Sequence, residues 1–198
     1  MAPTTITTTE GNGRPRGGRT LALALLTLAL LLSSAATAVA APRGGGTGLT
    51  TAPTTATSYR CDVEEKAFLT LINNYRATRS LKALRLTKTL GAAADHHSAD
   101  MATKNYFSHT LAGGIGWSQN IKNHGYTFNT YRGENIAAGN SAALATFNQW
   151  KNSPGHNANM LSKNFNAIGI GRAYGASSTY KTYWTTTFGG YQDAAAAC

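Results

Sequence analysis

The sequence predicts an α+β domain that follows an export signal and a linker, and three observations lead to this prediction. Residues 59–198 carry apolar stripes at helical spacing in their first part. Runs of β-branched and aromatic residues lie near their end. Residues 21–32, LALALLTLALLL, form an apolar run behind three arginines. Because helices precede a small number of strands, an α+β fold is favoured over a wound parallel sheet.

Residues 1–40 are predicted to be a secretory signal peptide. The polar start carries Arg14, Arg16 and Arg19, and the apolar run that follows is too short to span a bilayer. Ala38 and Ala40 then supply the small residues that a signal peptidase recognises, so cleavage is predicted near Ala40. An uncut membrane anchor is the alternative. After cleavage we expect a secreted, extracellular protein with no stable membrane span.

Residues 41–58 are predicted to be a disordered linker, because Gly, Thr, Ala and Pro dominate them and no apolar residue recurs periodically. Residues 59–198 hold both cysteines, all five histidines and all three tryptophans, and they are the predicted domain. The net charge of +10 comes from scattered Lys and Arg without a basic run interleaved with aromatic residues. Nucleic acid is therefore not an expected partner, whereas anionic envelope polymers or lipid head groups suit this charge.

The two cysteines, Cys61 and Cys198, lie at the two ends of the predicted domain. An even pair in an exported protein predicts a disulfide that ties the first helix to the C-terminus. A free or metal-bound pair is the alternative. No CxxC motif supports it, and no histidine lies close in sequence to either cysteine.

Three helices are predicted in order along the domain. Asp62 and Glu65 have the spacing of a capping box at the start of the first helix. Thr87 is the candidate N-cap of the second helix, and Asn140 is the candidate N-cap of the third. Apolar stripes at helical spacing follow: Phe68, Leu71, Ile72 and Tyr75 in the first, Leu90, Ala94, His97 and Met101 in the second, and Ala143, Phe147 and Trp150 in the third.

The rest of the domain is predicted to contain one more helix and a β-hairpin. A short helix is expected to end at His124 and Gly125, inside the long Gly- and Asn-rich stretch 107–140. The hairpin pairs AIGIGRAY, residues 167–174, with YKTYWTTTFGG, residues 180–190. The GASST between them supplies the turn residues.

Common hydrolase signatures are absent from the sequence, which has no HExxH helix, no GxSxG elbow and no glycine-rich phosphate loop. The polar residues in unusual local settings are His109 in YFSH, Glu134 in RGEN and His156 in SPGH. Each lies beside turn-forming residues, where binding groups concentrate. Structural roles are the alternative, with His109 bonded to a loop carbonyl and Glu134 capping backbone amides.

The other three histidines are not expected to be ligands. His97 lies on the apolar stripe of the second helix and is predicted to be a satisfied core residue. His96 faces the other way and is expected to be solvated. His124 precedes a helix-ending glycine, where a positive or polarisable ring interacts favourably with the helix dipole.

Six sequence pieces recur in a recognisable order between residues 90 and 190. They are HSADMATKNYFSH, GY at 125–126, GENIAAG, the tryptophan at 150 followed by SPGHNANML, IGIG, and YWTTTFGG. In these pieces the chain resembles the CAP superfamily (cysteine-rich secretory proteins, antigen 5 and pathogenesis-related protein 1), in its bacterial SCP-like branch. The resemblance is specific because the motifs cover nearly the whole domain.

The resemblance implies a three-layer α-β-α sandwich with a central, largely antiparallel sheet. It also implies that His109, Glu134 and His156 converge on one cavity that can hold a divalent metal. Two imidazoles and a carboxylate suit Zn²⁺ with water as the fourth ligand, and such an ion should be labile. The Ser-Pro-Gly turn would aim His156 into the cavity. The predicted supporting residues are Asn135, Ser153 and Gly155.

The chain departs from the family pattern at two positions. Eukaryotic members often carry a glutamate three residues after the tryptophan, where this chain has Ser153. Bacterial relatives commonly carry arginine where this chain has Asn157. The missing carboxylate removes one candidate base and weakens an enzymatic interpretation.

Three functions fit these residues, and the first is preferred. It is a secreted, non-enzymatic CAP module that binds a lipid, an envelope component or a host partner and has a metal-capable cavity. The alternative is a metal-dependent extracellular hydrolase that acts on peptide or cell-wall material. A structural surface domain is the third.

Overall fold

The structure is a computed structural model that describes Thr4–Thr5 and residues 59–198. Apart from Thr4–Thr5, the predicted signal peptide and linker lie outside the described residues. The elements in chain order are β1 (Thr4–Thr5), α1 (Val63–Ala77), β2 (Arg85–Leu86), α2 (Lys88–Lys104), α3 (Trp117–Asn123), β3 (Arg132–Ala138), α4 (Ala143–Lys151), α5 (Pro154–Met160), β4 (Ala167–Tyr174) and β5 (Thr182–Gly189). Within the described ranges, no helix is long and apolar enough to cross a membrane.

The capping box predicted for the first helix is present at the start of α1. The Asp62 carboxylate accepts from the Glu65 amide at 2.8 Å, and the Glu65 carboxylate accepts from the Asp62 amide at 2.7 Å. These two bonds satisfy amides that have no partner within the helix. Thr87 is the N-cap residue of α2 as predicted, although its side chain makes no capping bond. The predicted short helix is α3, which ends at Asn123, with His124 as its C-cap residue before Gly125.

The prediction that Asn140 starts the third helix is wrong. The helix α4 begins at Ala143, and Ala142 is its N-cap residue. The Glu64 carboxylate, on α1, accepts a 2.7 Å hydrogen bond from the Ala143 amide. The first amide of α4 is therefore capped by a carboxylate from another helix, and not by the side chain of a residue that directly precedes α4.

The five strands form one sheet in which three of the four neighbouring pairs are antiparallel. The sheet order is β1-β3-β5-β4-β2, and only β2 and β4 run parallel. The predicted hairpin is the pair β4 and β5, in which Ile170 lies opposite Thr186. The strand β3 is the other neighbour of β5, with Glu134 opposite Thr187. The expected largely antiparallel sheet is confirmed.

Helices cover both faces of the sheet, which makes three layers. Thr185 and Thr187 of β5 bond to α2, through the Ser98 hydroxyl and the Leu90 carbonyl. On the opposite face, Trp184 packs with Phe68 in the largest apolar cluster, to which α1, α4 and α5 contribute. The alternation follows from strand geometry, since successive side chains point to opposite faces. The predicted α-β-α sandwich is confirmed.

Two glycines in β4 allow α2 to lie close against the sheet. A Cβ at Gly169 would come within 2.1 Å of the Leu90 backbone, and one at Gly171 within 2.3 Å of the Ala94 backbone. No side chain fits at either position without displacing the helix. This close contact fixes the position of α2 on the sheet. It therefore also fixes the position of His97, which α2 directs toward β3.

A disulfide joins Cys61 and Cys198, as predicted from the sequence, and the described domain has no free cysteine. The C-terminal segment is also held by backbone hydrogen bonds. The Ala196 amide donates to the Leu86 carbonyl at 3.1 Å, and the Lys88 amide donates to the Ala194 carbonyl at 2.8 Å. The end of the chain is therefore bound to the domain both covalently and by hydrogen bonds.

Candidate functional site

The carboxylate of Glu134 is the centre of the candidate site. It is fully buried on β3 and is hydrogen-bonded to two imidazoles. Its Oε1 accepts from His109 Nδ1 at 2.7 Å, and its Oε2 lies 2.8 Å from His97 Nδ1. The predicted pair of His109 and Glu134 is thus in direct contact, and His97 joins it.

The second bond of His97 determines the charge of this ring. Its Nε2 lies 2.9 Å from the Ser108 carbonyl, which can only accept. Because the carboxylate also accepts, both ring nitrogens carry hydrogen and the ring is an imidazolium. Burial by itself lowers the pKa of His97, but the Glu134 charge and hydrogen bond outweigh it, and the pKa is raised. His97 and Glu134 therefore form a buried ion pair.

The loop that carries His109 is fastened to α2 by Asp100. One carboxylate oxygen accepts from the Tyr106 hydroxyl at 2.5 Å and from the Ala112 amide at 2.9 Å. The other forms an ion pair with Lys104 at 2.6 Å. Burial alone would raise the pKa of Asp100, but the bonds from Lys104 and Tyr106 dominate and lower it to about 2. Asp100 therefore holds both ends of the His109 loop.

Replacing Asp100 with asparagine should lower stability at neutral pH by up to about 2 kcal/mol, from the pKa difference between 3.8 and about 2. The part that comes from half-exposed Lys104 is screened by solvent. The folded pKa is depressed, so this stability is complete above about pH 4 and is lost as the pH falls toward 2. The melting temperature measured between pH 2 and 7 should fall less steeply in acid for Asp100→Asn.

Lys104→Ala is the matched control for that measurement. It removes the exposed ion pair and leaves the bonds from Tyr106 and Ala112. We therefore expect the acid dependence of its melting temperature to change less than that of Asp100→Asn. If the melting temperature of Asp100→Asn fell in acid as steeply as that of the unmodified chain, this role of Asp100 would be contradicted.

The third predicted residue, His156, lies in the first turn of α5. The segment predicted as a turn is the start of this helix, with Ser153 at the N-cap and Pro154 as the first helical residue. The Ser153 hydroxyl lies 2.9 Å from His156 Nδ1, and the ring stacks on Trp150 with centroids 5.9 Å apart. Gly155 follows Pro154 in the same helical turn, and it lacks the positive φ that a sharp glycine turn would require. The local structure thus fixes the ring plane of His156.

Two asparagines connect α5 to the strand that carries Glu134. Asn135 Nδ2 donates to the His156 carbonyl at 3.1 Å. Asn159 Nδ2 donates to the Glu134 carbonyl at 3.2 Å and to Asn135 Oδ1 at 2.8 Å. Since neighbouring strand residues point to opposite faces, Glu134 points toward α2 and Asn135 toward α5. His109 therefore contacts Glu134 directly, whereas His156 is joined to the same strand through Asn135 and Asn159.

His97 is the residue that sequence reasoning did not place in the site. It is buried, as its position on the apolar stripe predicted, but its partner is the Glu134 carboxylate. A histidine on an otherwise apolar stripe, nine residues before YFSH, was the available signal. No pattern in the sequence shows which strand residue the ring will meet.

The donor chemistry determines how a metal would be held here. Within residues 59–198, no group of three or more His, Cys, Asp or Glu side chains has the arrangement of a metal site. The Nδ1 atoms of His109 and His156 contact Glu134 and Ser153, so each ring would bind a metal through Nε2. A carboxylate behind a ligating imidazole is the usual outer partner in metal sites. His109 fits such a ligand, with Glu134 as its orienting group, whereas His156 lies on the opposite face of β3 from Glu134.

A comparison with protein families identifies residues 69–188. They match the model of the cysteine-rich secretory protein family, CAP. This range includes Glu134, all five histidines and most of the sheet.

Two relatives come from Bacillus subtilis strain 168. The chain is similar to the uncharacterized protein YkwD, with 34% identity over 139 residues, covering 70% of this chain and 50% of YkwD. It is similar to the uncharacterized membrane protein YlbC, with 32% identity over 107 residues, covering 54% of this chain and 31% of YlbC. The chain thus spans half or less of the length of these relatives.

Solved structures show the same fold. One is an extracellular protein containing a SCP domain from Bacillus anthracis, with 30% identity and a TM-score of 0.53, covering 62% of this chain and 39% of that chain. Another is an outer surface protein from Borrelia burgdorferi, with 24% identity and a TM-score of 0.58, covering 67% of this chain and 97% of that chain. The second similarity concerns the fold alone. Given the match over residues 69–188, the chain belongs to the cysteine-rich secretory protein (CAP) family.

Proposed function

We propose that this chain is an exported, non-enzymatic CAP module that binds an envelope component beside Glu134. The observation that carries the proposal is the state of the Glu134 carboxylate. Both of its oxygens accept hydrogen bonds from imidazoles, and one of these rings is an imidazolium. A hydrolytic site needs a base that takes a proton from water, as well as groups that stabilise the transition state. Glu134 instead orients two histidines.

The residue at the position of the family's second carboxylate supports the same conclusion. Ser153 occupies that position and contacts His156 Nδ1 with its hydroxyl. A hydroxyl next to an imidazole orients the ring but adds no negative charge to the site. Ser153 therefore supplies no second acid at this position that could share acid and base roles with Glu134.

Export is supported by several independent features. A disulfide is typical of proteins in oxidising compartments, and the sequence begins with a predicted signal peptide. The structurally similar protein from Bacillus anthracis is described as extracellular. The full chain has a net charge of +10, and it keeps about +8 without residues 1–40, which favours a lipid or another envelope component with an anionic group as the ligand.

His109 and His156 are the proposed ligands of an exchangeable Zn²⁺. Because they approach β3 from opposite faces, a shared ion would lie at the strand edge beside residues 132–135, which have no pairing partner on that side among the described residues. When bound, the ion would supply a Lewis acid that attracts an anionic or carbonyl group of the ligand. Glu134 holds His109 through Nδ1, and Ser153 with Trp150 holds the ring of His156. With only two protein nitrogens proposed as ligands, affinity should be modest.

Isothermal titration with Zn²⁺ should therefore show binding at pH 7.5 that is lost at pH 5, because imidazoles must be deprotonated to bind a metal. His109→Ala and His156→Ala should each weaken it at least tenfold. Lys66→Ala, which removes an exposed side chain on α1, is the control and should leave Zn²⁺ binding unchanged. Equal Zn²⁺ affinity and pH dependence in both site variants would refute the shared metal site.

Ligand binding and hydrolysis are separated by a second experiment. Mass spectrometry of a lipid and envelope extract incubated with the protein should find a component retained by the chain. Retention should survive Glu134→Gln, because the amide still orients at least one imidazole. Cleavage of peptide or peptidoglycan that disappears in Glu134→Gln would replace this proposal with the hydrolase alternative.

A further inference from the structure

A second pair of histidines lies on α2 and at the C-terminal end of α3, where both rings are bonded to the same asparagine. His96 Nδ1 is 2.8 Å from Asn120 Oδ1, and His124 Nδ1 is 2.8 Å from the Asn120 backbone carbonyl. The ring centroids are 5.0 Å apart, and the ring planes are inclined by 44°. These residues are not part of the Glu134 site.

The hydrogen bonds of Asn120 determine the tautomer of both rings. Its Nδ2 donates to the Ala93 carbonyl at 2.9 Å, so its Oδ1 is the acceptor that faces His96. The backbone carbonyl that faces His124 can only accept. Nδ1 therefore carries the hydrogen in both neutral rings, and the lone pair of each ring is on Nε2. This is the state in which imidazole binds a metal.

The position of the pair suits a bound ion. A metal at about 2 Å from two imidazole nitrogens, in neighbouring coordination positions, places the two ring centres about 5 Å apart, as observed here. His96 is exposed and His124 is half-buried, so water reaches the pair. Asn120 is buried, with 1% of its surface exposed, and its hydrogen bonds to both Nδ1 atoms orient the two rings.

We propose that His96 and His124 form a surface site for a divalent transition-metal ion, bound through the two Nε2 atoms with water in the other positions. Imidazole ligands favour Cu²⁺ over Zn²⁺ and Ni²⁺, so Cu²⁺ is the ion that binds most tightly. The two rings come from α2 and from the C-terminal end of α3, and Asn120 bonds to both. The site is independent of the proposed function at Glu134.

Imidazole NMR resonances of the untagged full chain, recorded during a Zn²⁺ titration, test the site directly. We expect the Nε2 resonances of His96 and His124 to shift together with one midpoint. His97 is the internal reference, because both of its ring nitrogens are already hydrogen-bonded within the fold. The His109 and His156 resonances report the other proposed site separately, so failure of one site is distinguishable from failure of the other.

Substitutions then test whether the two rings act together. In His124→Ala, the His96 resonance should stop shifting at the Zn²⁺ concentration that saturates the unmodified chain, and the reverse should hold in His96→Ala. Calorimetry with Cu²⁺ should show at least tenfold weaker binding at this site in either variant. Lys122→Ala, at an exposed position on α3, should bind as the unmodified chain does. Unmoved His96 and His124 resonances, or unchanged midpoints after removal of the partner ring, would overturn the proposal.

Discussion

Replacing Glu134 with alanine should lower the free energy of unfolding by about 3–5 kcal/mol, because it leaves the buried His97 imidazolium without its counter-charge. Glu134 and His97 are both fully buried, so water cannot take the place of the carboxylate. The ring of His97 would have to lose its proton or leave the core. Urea denaturation followed by circular dichroism at pH 7 measures the loss.

His109→Ala is the matched control for this prediction. It removes the other imidazole from the same carboxylate, but His109 is partly exposed and the buried ion pair remains intact. We expect a loss of about 1 kcal/mol, the usual contribution of one hydrogen bond. A Glu134→Ala protein as stable as His109→Ala would show that His97 is not charged in the folded protein.

Reducing the bond between Cys61 and Cys198 should destabilise the domain by about 5 kcal/mol on the chain-entropy estimate, because the bridge closes a loop across a sequence separation of 137 residues. For a domain of this size the melting temperature would fall by about 10–20 °C. The backbone hydrogen bonds of Ala196 and Lys88 persist in the reduced native protein, so the reduced chain should keep the same fold. Scanning calorimetry with and without reductant measures the difference.

The double variant Cys61→Ser/Cys198→Ser separates the disulfide from other effects of reductant. It should melt at the temperature of the reduced protein, and adding reductant should not change that temperature further. An oxidised protein that melts no higher than the double variant would contradict a stabilising role of the bridge.

Much of the local structure could be predicted because its causes lie close together in sequence. The capping box of Asp62 and Glu65 acts over three residues, and Gly125 ends α3 beside the residue that caps it. The β4 and β5 hairpin follows from two strand-forming runs and the turn between them. The start of α4 was missed because its amide is capped by Glu64, a residue 79 positions earlier in the chain.

The candidate site also contains residues that the sequence predicted and contacts that it did not. The motifs identified His109, Glu134 and His156 through a family resemblance, and the contact between His109 and Glu134 is present. The role of His97 was not predicted, since an apolar stripe indicates that a residue is buried but does not identify its partner. The contact of His96 and His124 with Asn120 was equally invisible in the sequence.

The sequence by itself determined the first helices and the C-terminal hairpin, the α+β class, the pairing of the two cysteines and the family, because periodicity, composition and motif order are properties of neighbouring residues. Only the tertiary structure decided that α2 lies against β4 at Gly169 and Gly171 and that His97 reaches Glu134. It also decided that His156 approaches β3 from the opposite face of the sheet to Glu134. These are contacts between residues far apart in the chain, and their geometry depends on how whole helices pack on the sheet.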